Sequence, residues 1–190
     1  FAAFKRNLIK EIRVAQFAGY ISEHAAYHHG EASLNGTIVG LAQDFPGSNN
    51  LPLMVPAGQF GSRLQGGKDA ASPRYIHTHL QHYARDIFIK EDDGLLPAQD
   101  DDGTSIEPEY YAPAIPMILV NGSTGIGTGY SCCWPQHSPV QLIDYLLNQT
   151  QTLRPCFKGY SGTVVYDDNY NVISTGRWHR KNTNTIVITE

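Results

Sequence analysis

Gly58 to Thr78 reads GQFGSRLQGGKDAASPRYIHT, a glycine-rich basic loop that ends in a run of strand-forming residues. Gly58, Gly61, Gly66 and Gly67 let backbone amides approach a neighbouring group closely. Arg63 and Lys68 add positive charge, so the loop suits a polyanion. Tyr75 stands directly behind Pro73 and Arg74. A phenol is a weak nucleophile at neutral pH because its reference pKa is about 10. One that attacks a phosphodiester therefore needs a cation beside it, and Arg74 is that cation. The plainer alternative is a solvated surface loop with a packed tyrosine.

Upstream of the loop, Leu8, Ile12, Ala15, Ala18 and Ile21 roughly follow helical spacing behind a basic start of Lys5, Arg6, Lys10 and Arg13. This predicts one amphipathic helix from Leu8 to about Tyr27. A second helix is predicted from Gly30-Glu31, where the acid suits the first turn. It carries Leu34, Ile38, Leu41, Ala42 and Phe45 on one side, and Pro46-Gly47 stops it. Leu51–Val55 reads as a strand and Tyr75–Leu80 as its return. Two helices joined by a short polar turn, then two strands around a glycine loop, spell a helix-turn-helix plus wing. In such a module the second helix enters the major groove and the wing tracks the backbone. Asn35, Thr37 and Gln43 are the uncharged polar residues available for that contact. Alternate strand residues point to opposite faces, so Arg74 and Tyr75 can share a phosphate only if the chain turns at Pro73.

Downstream, Glu91 to Asp102 is acidic, contains Gly94 and Pro97, and lacks a periodic apolar pattern, which predicts an exposed loop. Ile115 to Val120 is predicted as a buried strand ending in the Asn121-Gly122 turn, and Pro139 to Leu147 as a short helix. Segments 162–166, 171–174 and 185–189 alternate in the manner of antiparallel strands. The fold class is α+β. Residues 1–90 are expected to form the winged-helix unit, 91–110 an acidic linker, and 111–190 a second unit.

A chain of 190 residues can bury one good core and a smaller second one. With no initiator methionine, no signal-peptide pattern and no membrane-length apolar run, it reads as an internal, soluble piece of something larger. The net charge of -4 argues against nucleic acid when read globally, but the charge is segregated. Residues 1–90 hold nine Lys/Arg against six Asp/Glu, 91–110 hold eight acids and no base, and 111–190 hold five bases against four acids. Only the first part attracts a polyanion. Cys132, Cys133 and Cys156 lack the paired spacing of a zinc framework and indicate a reducing, intracellular setting. Gly66-Gly67-Lys68 ends like a Walker loop, but Ser62 stands where glycine is needed and Asp69 where Ser or Thr is, which argues against ATP. Gly125-Ile126-Gly127-Thr128-Gly129 is followed by Tyr130 rather than the last glycine of a dinucleotide site. His77, His79 and His82 have no Cys, Asp or Glu close by to complete a metal set.

The glycine loop with Ser72-Pro73-Arg74-Tyr75, together with Tyr27-His28-His29-Gly30-Glu31 before it and Asn121-Gly122-Ser123-Thr124-Gly125-Ile126-Gly127-Thr128-Gly129 after it, resembles the type IIA DNA topoisomerases. These motifs and Glu107-Pro108-Glu109-Tyr110-Tyr111 look like the topoisomerase II branch of eukaryotes and large DNA viruses rather than bacterial gyrase. The likeness runs from Phe1 to about Asn148. It departs from the pattern at Cys132-Cys133-Trp134. The resemblance implies a homodimeric, ATP-dependent enzyme of the nucleus, or of a viral replication site, that cleaves both strands of DNA through a 5′-phosphotyrosine, passes a second duplex and religates. It implies that 111–190 is the proximal part of a tower domain. Mg²⁺ and ATP would act in other domains, and no metal, cofactor or membrane is expected at these residues. Tyr75 would be the nucleophile, Arg74 the charge stabiliser, and His29 a contact of the reactive phosphate. His28, Arg63, Lys68, Asn49 and Gln59 would touch DNA, and Ile126 would wedge between base pairs. The fragment alone is expected to be inactive. Two other readings stay open: a winged-helix DNA-binding module without chemistry, and a different tyrosine-based strand transferase.

Overall fold

The computed structural model of the chain describes all residues except Ala26, His28, Gln149, Thr150 and Gln151. The apolar spacing of its first part is realised in three helices, α1 (Ala2–Lys5), α2 (Val14–His24) and α3 (Glu31–Ala42). The helix predicted from Leu8 begins only at Val14. Asn7 adopts a left-handed φ of 51°, and the next residues run extended. There β1 (Ile12–Arg13) pairs antiparallel with β2 (His77–Thr78), and Leu80 N–H bonds Leu8 O at 2.9 Å. Burying Leu8 and Ile12 against a distant segment outweighs the local helical pattern.

α3 starts behind Gly30 with Glu31 in its first turn, where a carboxylate complements the helix dipole. It buries Leu34, Ile38, Val39 and Ala42, while Leu41 from the predicted stripe is exposed. These residues join Leu8, Ile12, Val14, Phe17, Ala18, Met54, Phe60 and Ile76 in one core. Each large aliphatic or aromatic side chain buried there contributes about 1.5–3 kcal/mol.

The strand predicted at Leu51–Val55 is reduced to the isolated bridge Met54↔Leu80, with a second bridge, Ala57↔His77, just beyond it. Pro52 and Pro56 supply no N–H, so a regular ladder cannot form. Beyond β2 come α4 (Ala84–Ile87) and a 3₁₀ turn at Lys90–Gly94. The acidic stretch, expected to be irregular, contains a hairpin of β3 (Ala98–Asp101) and β4 (Thr104–Pro108). Asp102 and Gly103 both have positive φ, 51° and 83°, as a type I′ turn requires.

Two compact units emerge, one of residues 1–48 with 52–115 and one of residues 49–51 with 116–190. In the second, the predicted strand at Ile115–Val120 is instead a helix, α5 (Met117–Asn121). A short apolar run does not tell buried strand from buried helix, and Pro116 at the N-cap costs the helix no internal hydrogen bond, since an N–H there has no partner within the helix. β5 (Ser123–Gly127) and β6 (Tyr130–Trp134) form a hairpin, followed by α6 (Pro139–Asn148). β7 (Thr163–Tyr166) pairs with β8 (Val172–Thr175), and β9 (Trp178–Asn182) with β10 (Thr185–Ile188), all antiparallel. The fold is mixed α and β. No described helix is long and apolar enough to cross a membrane.

Candidate active site and nucleic-acid interface

Tyr75 closes a turn, Ser72 to Tyr75, in which its N–H bonds Ser72 O at 2.9 Å. The turn at Pro73 breaks the strand alternation that would set neighbouring Arg74 and Tyr75 on opposite faces. It is held from below by α2, whose first amides have no partner within the helix. Val14 N–H bonds Ile76 O at 3.0 Å and Ala15 N–H bonds Pro73 O at 3.1 Å. Ile76 is buried to 2 % exposure, whereas Tyr75 is 71 % exposed. The Arg74 guanidinium lies 5.9 Å from the Tyr75 ring centroid. A phenol and a cation are thus offered to solvent on a backbone fixed at both ends.

The glycine loop is closed on itself. Asp69 Oδ1 accepts the Ser62 N–H at 2.8 Å and Oδ2 accepts Gln59 Nε2 at 3.3 Å. Hydrogen bonds from Ser62, its hydroxyl first and then its backbone, hold the Asp69 carboxyl below the ordinary range. Where a nucleotide loop carries Ser or Thr, this loop uses an acid as its own clasp. Gly61 has φ 100°, and a Cβ there would come within 2.6 Å of Gly67 Cα. The glycines therefore let two stretches of this loop meet, a use additional to approach by a polyanion. Arg63 and Lys68 are exposed on it.

Gln43, expected to reach out of α3, donates instead to Phe60 O at 2.9 Å and ties the helix to the loop. Thr37 Oγ1 bonds Ser33 O at 3.1 Å within its own helix, and Asn35 Nδ2 lies 3.5 Å from Glu31 Oε1. His29 is exposed just ahead of α3, its ring perpendicular to that of Tyr27 at 5.4 Å. His28 lies outside the described residues. The loop-holding roles of Asp69 and Gln43 are not visible in sequence, because no spacing rule joins Asp69 to Ser62 and Gln59 within the loop or Gln43 to Phe60 seventeen positions on.

Asn49 and Ile126 belong to the second unit, and the other described candidates to the first. Asn49 is half-buried. Ile126 sits near the tip of the β5–β6 hairpin, opposite Ser131, and is 90 % exposed. This excludes a buried core isoleucine. A side chain of this size left in water forgoes about 1.5–3 kcal/mol of burial, a cost that insertion into an apolar slot would recover. His77, His79 and His82 build no metal site: among the described residues no group of three or more His, Cys, Asp or Glu is placed to hold an ion.

Comparison with known proteins bears on the family and the fold. The sequence profile of DNA gyrase/topoisomerase IV (A-type subunit) matches residues 1–190. The chain is 53 % identical over 173 residues to the mitochondrial DNA topoisomerase 2 of Dictyostelium discoideum, a match covering 88 % of this chain and 14 % of that protein. It is 46 % identical over 195 residues to DNA topoisomerase 2 of Saccharomyces cerevisiae, covering 100 % of this chain and 14 % of that one. Among solved structures, the DNA-binding, cleavage and re-ligation domain of Plasmodium falciparum topoisomerase II superimposes with a TM-score of 0.94 at 44 % identity. That match covers 99 % of this chain and 26 % of that one. The chain thus spans about one seventh of the length of these curated relatives. It belongs to the DNA gyrase/topoisomerase IV family of type II DNA topoisomerases.

Proposed function

We propose that the chain is the DNA-cleaving segment of an ATP-dependent type II topoisomerase, with residues 1–90 as its winged helix and 111–190 as the proximal tower. The observation that carries this is the exposed phenol of Tyr75 beside Arg74 on a turn clamped by the first amides of α2. The Tyr75 oxygen attacks a backbone phosphorus, and a P–O bond to Tyr75 forms as the bond from phosphorus to the 3′ oxygen breaks. The phenol proton leaves to water or His29, and the departing 3′ oxygen takes one up. The bond energy is kept in the phosphotyrosine, so the reverse step reseals the strand. Arg74 stabilises charge on the non-bridging oxygens as phosphorus becomes five-coordinate.

His29, with His28, contacts the reactive phosphate ahead of α3. Arg63, Lys68, Gln59 and Asn49 contact the backbone of double-stranded DNA, and Ile126 wedges between base pairs. A phosphotyrosine on each strand requires two copies of the chain, hence a homodimer. On this reading Mg²⁺ and ATP act in other parts of the full-length enzyme. The relatives named above are eukaryotic enzymes, one of them mitochondrial by name; the nucleus, or a viral replication site, is the setting proposed. Tyr75→Phe in the full-length enzyme removes the attacking oxygen and leaves the cationic loop. We expect DNA binding to persist and cleavage to vanish. Continued cleavage would mean that the segment binds DNA without doing the chemistry.

A further inference from the structure

The second unit buries a polar cluster at the root of the Ile126 hairpin. Asn50 is 5 % exposed. Its Nδ2 donates to His137 O at 3.0 Å and Cys156 O at 2.7 Å, and its Oδ1 accepts the Lys158 N–H at 2.7 Å. Asn121 clasps the next residue: its Oδ1 accepts Leu51 N–H at 2.8 Å and its Nδ2 donates to Leu51 O at 3.0 Å. Gln136 Nε2 donates to Asn121 O at 3.0 Å. His137 is 3 % exposed. Its Nδ1 donates to Leu119 O at 3.0 Å, because a carbonyl only accepts, and its Nε2 lies 3.2 Å from the Tyr166 hydroxyl.

These residues flank β5 and β6 on both sides. Asn121 lies two positions before β5, and Gln136 and His137 lie just after β6. From Ser123 to Trp134 the hairpin is exposed, apart from a half-buried Gly127. Its direction is therefore set at the root. The strand rises about 10 Å from Ser123 to Ile126, so a tilt of roughly 20° at the root moves the tip by about 3.4 Å. The rise between bases of one strand is about 3.4 Å. An error of that size carries the side chain from one base step toward the next.

We infer that Asn50 is a positioning residue that aims Ile126 at its base step. This rests on the reading of Ile126 as a wedge. Asn50→Asp keeps the shape and the bond from Lys158 but turns a carboxylate oxygen toward the carbonyls of His137 and Cys156. The test measures bending of an end-labelled duplex by energy transfer in the full-length enzyme for four forms: wild type, Asn50→Asp, Ile126→Ala and the double variant. Thermal unfolding is followed alongside. We expect Asn50→Asp, which forfeits both hydrogen bonds donated by Nδ2, to lower the bent fraction about tenfold. On the Ile126→Ala background it should have no further effect. Equal losses on both backgrounds would show a merely structural role and overturn the inference, as would wild-type bending by folded Asn50→Asp. If Ile126→Ala itself bends DNA normally, the wedge reading falls and this inference with it. Should Asn50→Asp not fold, Asn121→Ser loosens the same root and must give the same pattern; wild-type bending by that variant would overturn the proposal.

Discussion

The Tyr75 turn and the Ile126 hairpin each hold one side chain out to solvent, by opposite means. Tyr75 projects from a turn tied directly to the N-terminus of α2, with buried Ile76 as its next residue. Ile126 stands at the end of an exposed two-stranded arm whose anchors are several residues away. On the proposed function, a group that must meet one phosphorus atom within a bond length is fixed at its own backbone, and an apolar wedge, which tolerates sliding along a base plane, is aimed from a distance. The same reading separates what each contributes: charge and nucleophilicity from the first region, deformation of the duplex from the second.

The largest expected effect that would break this separation is at Arg74. Arg74→Ala in the full-length enzyme is expected to slow cleavage by about 10²–10³-fold, the range for losing one preorganised charge-stabilising donor. The duplex should bend as before. If bending fell with cleavage, the guanidinium would be shaping DNA and not stabilising the reacting phosphate.

A smaller effect sharpens the account of the loop. The Asp69 carboxyl is held below its ordinary value of 3.8 by hydrogen bonds from Ser62. Its unfolded form binds a proton more readily than its folded form, so its contribution is complete above the unfolded value and is lost as pH falls below it. Because the group is on the surface, the effect is modest. Thermal unfolding of wild type and Asp69→Asn, followed from pH 6 to pH 3, should show the two converging toward the acid end. A constant difference across that range would mean that the clasp is not ionic.

Much of the first region was legible because its determinants are local. Pro73, Arg74 and Tyr75 are neighbours, and the α3 pattern of Leu34, Ile38 and Ala42 is a short-range periodicity. What escaped depends on distant partners or weak cues. The segment 8–13 carries helical spacing yet pairs with residues near position 78, sixty and more positions away. Asp102-Gly103 is a hairpin signal, but the acidic flanks lack the alternating apolar residues that make such a turn readable. Met117–Val120 is apolar on every side and fits either element. The exposure of Ile126 follows from no composition rule, and only the resemblance pointed to it. Asn50 was beyond reach: its three partners lie 87 to 108 positions further on.

The attacking group is the point on which the account turns. Full-length enzyme mixed with plasmid, stopped with denaturant and digested with nuclease and trypsin should yield one peptide that carries a nucleotide. The expected peptide is Tyr75–Arg85, bearing a 5′-linked nucleotide on Tyr75. Tyr83 in the same peptide should be free, since its half-buried hydroxyl already donates to Pro52 O at 2.6 Å. A nucleotide on Tyr83, on any other peptide, or joined through a 3′ phosphate would contradict the assignment.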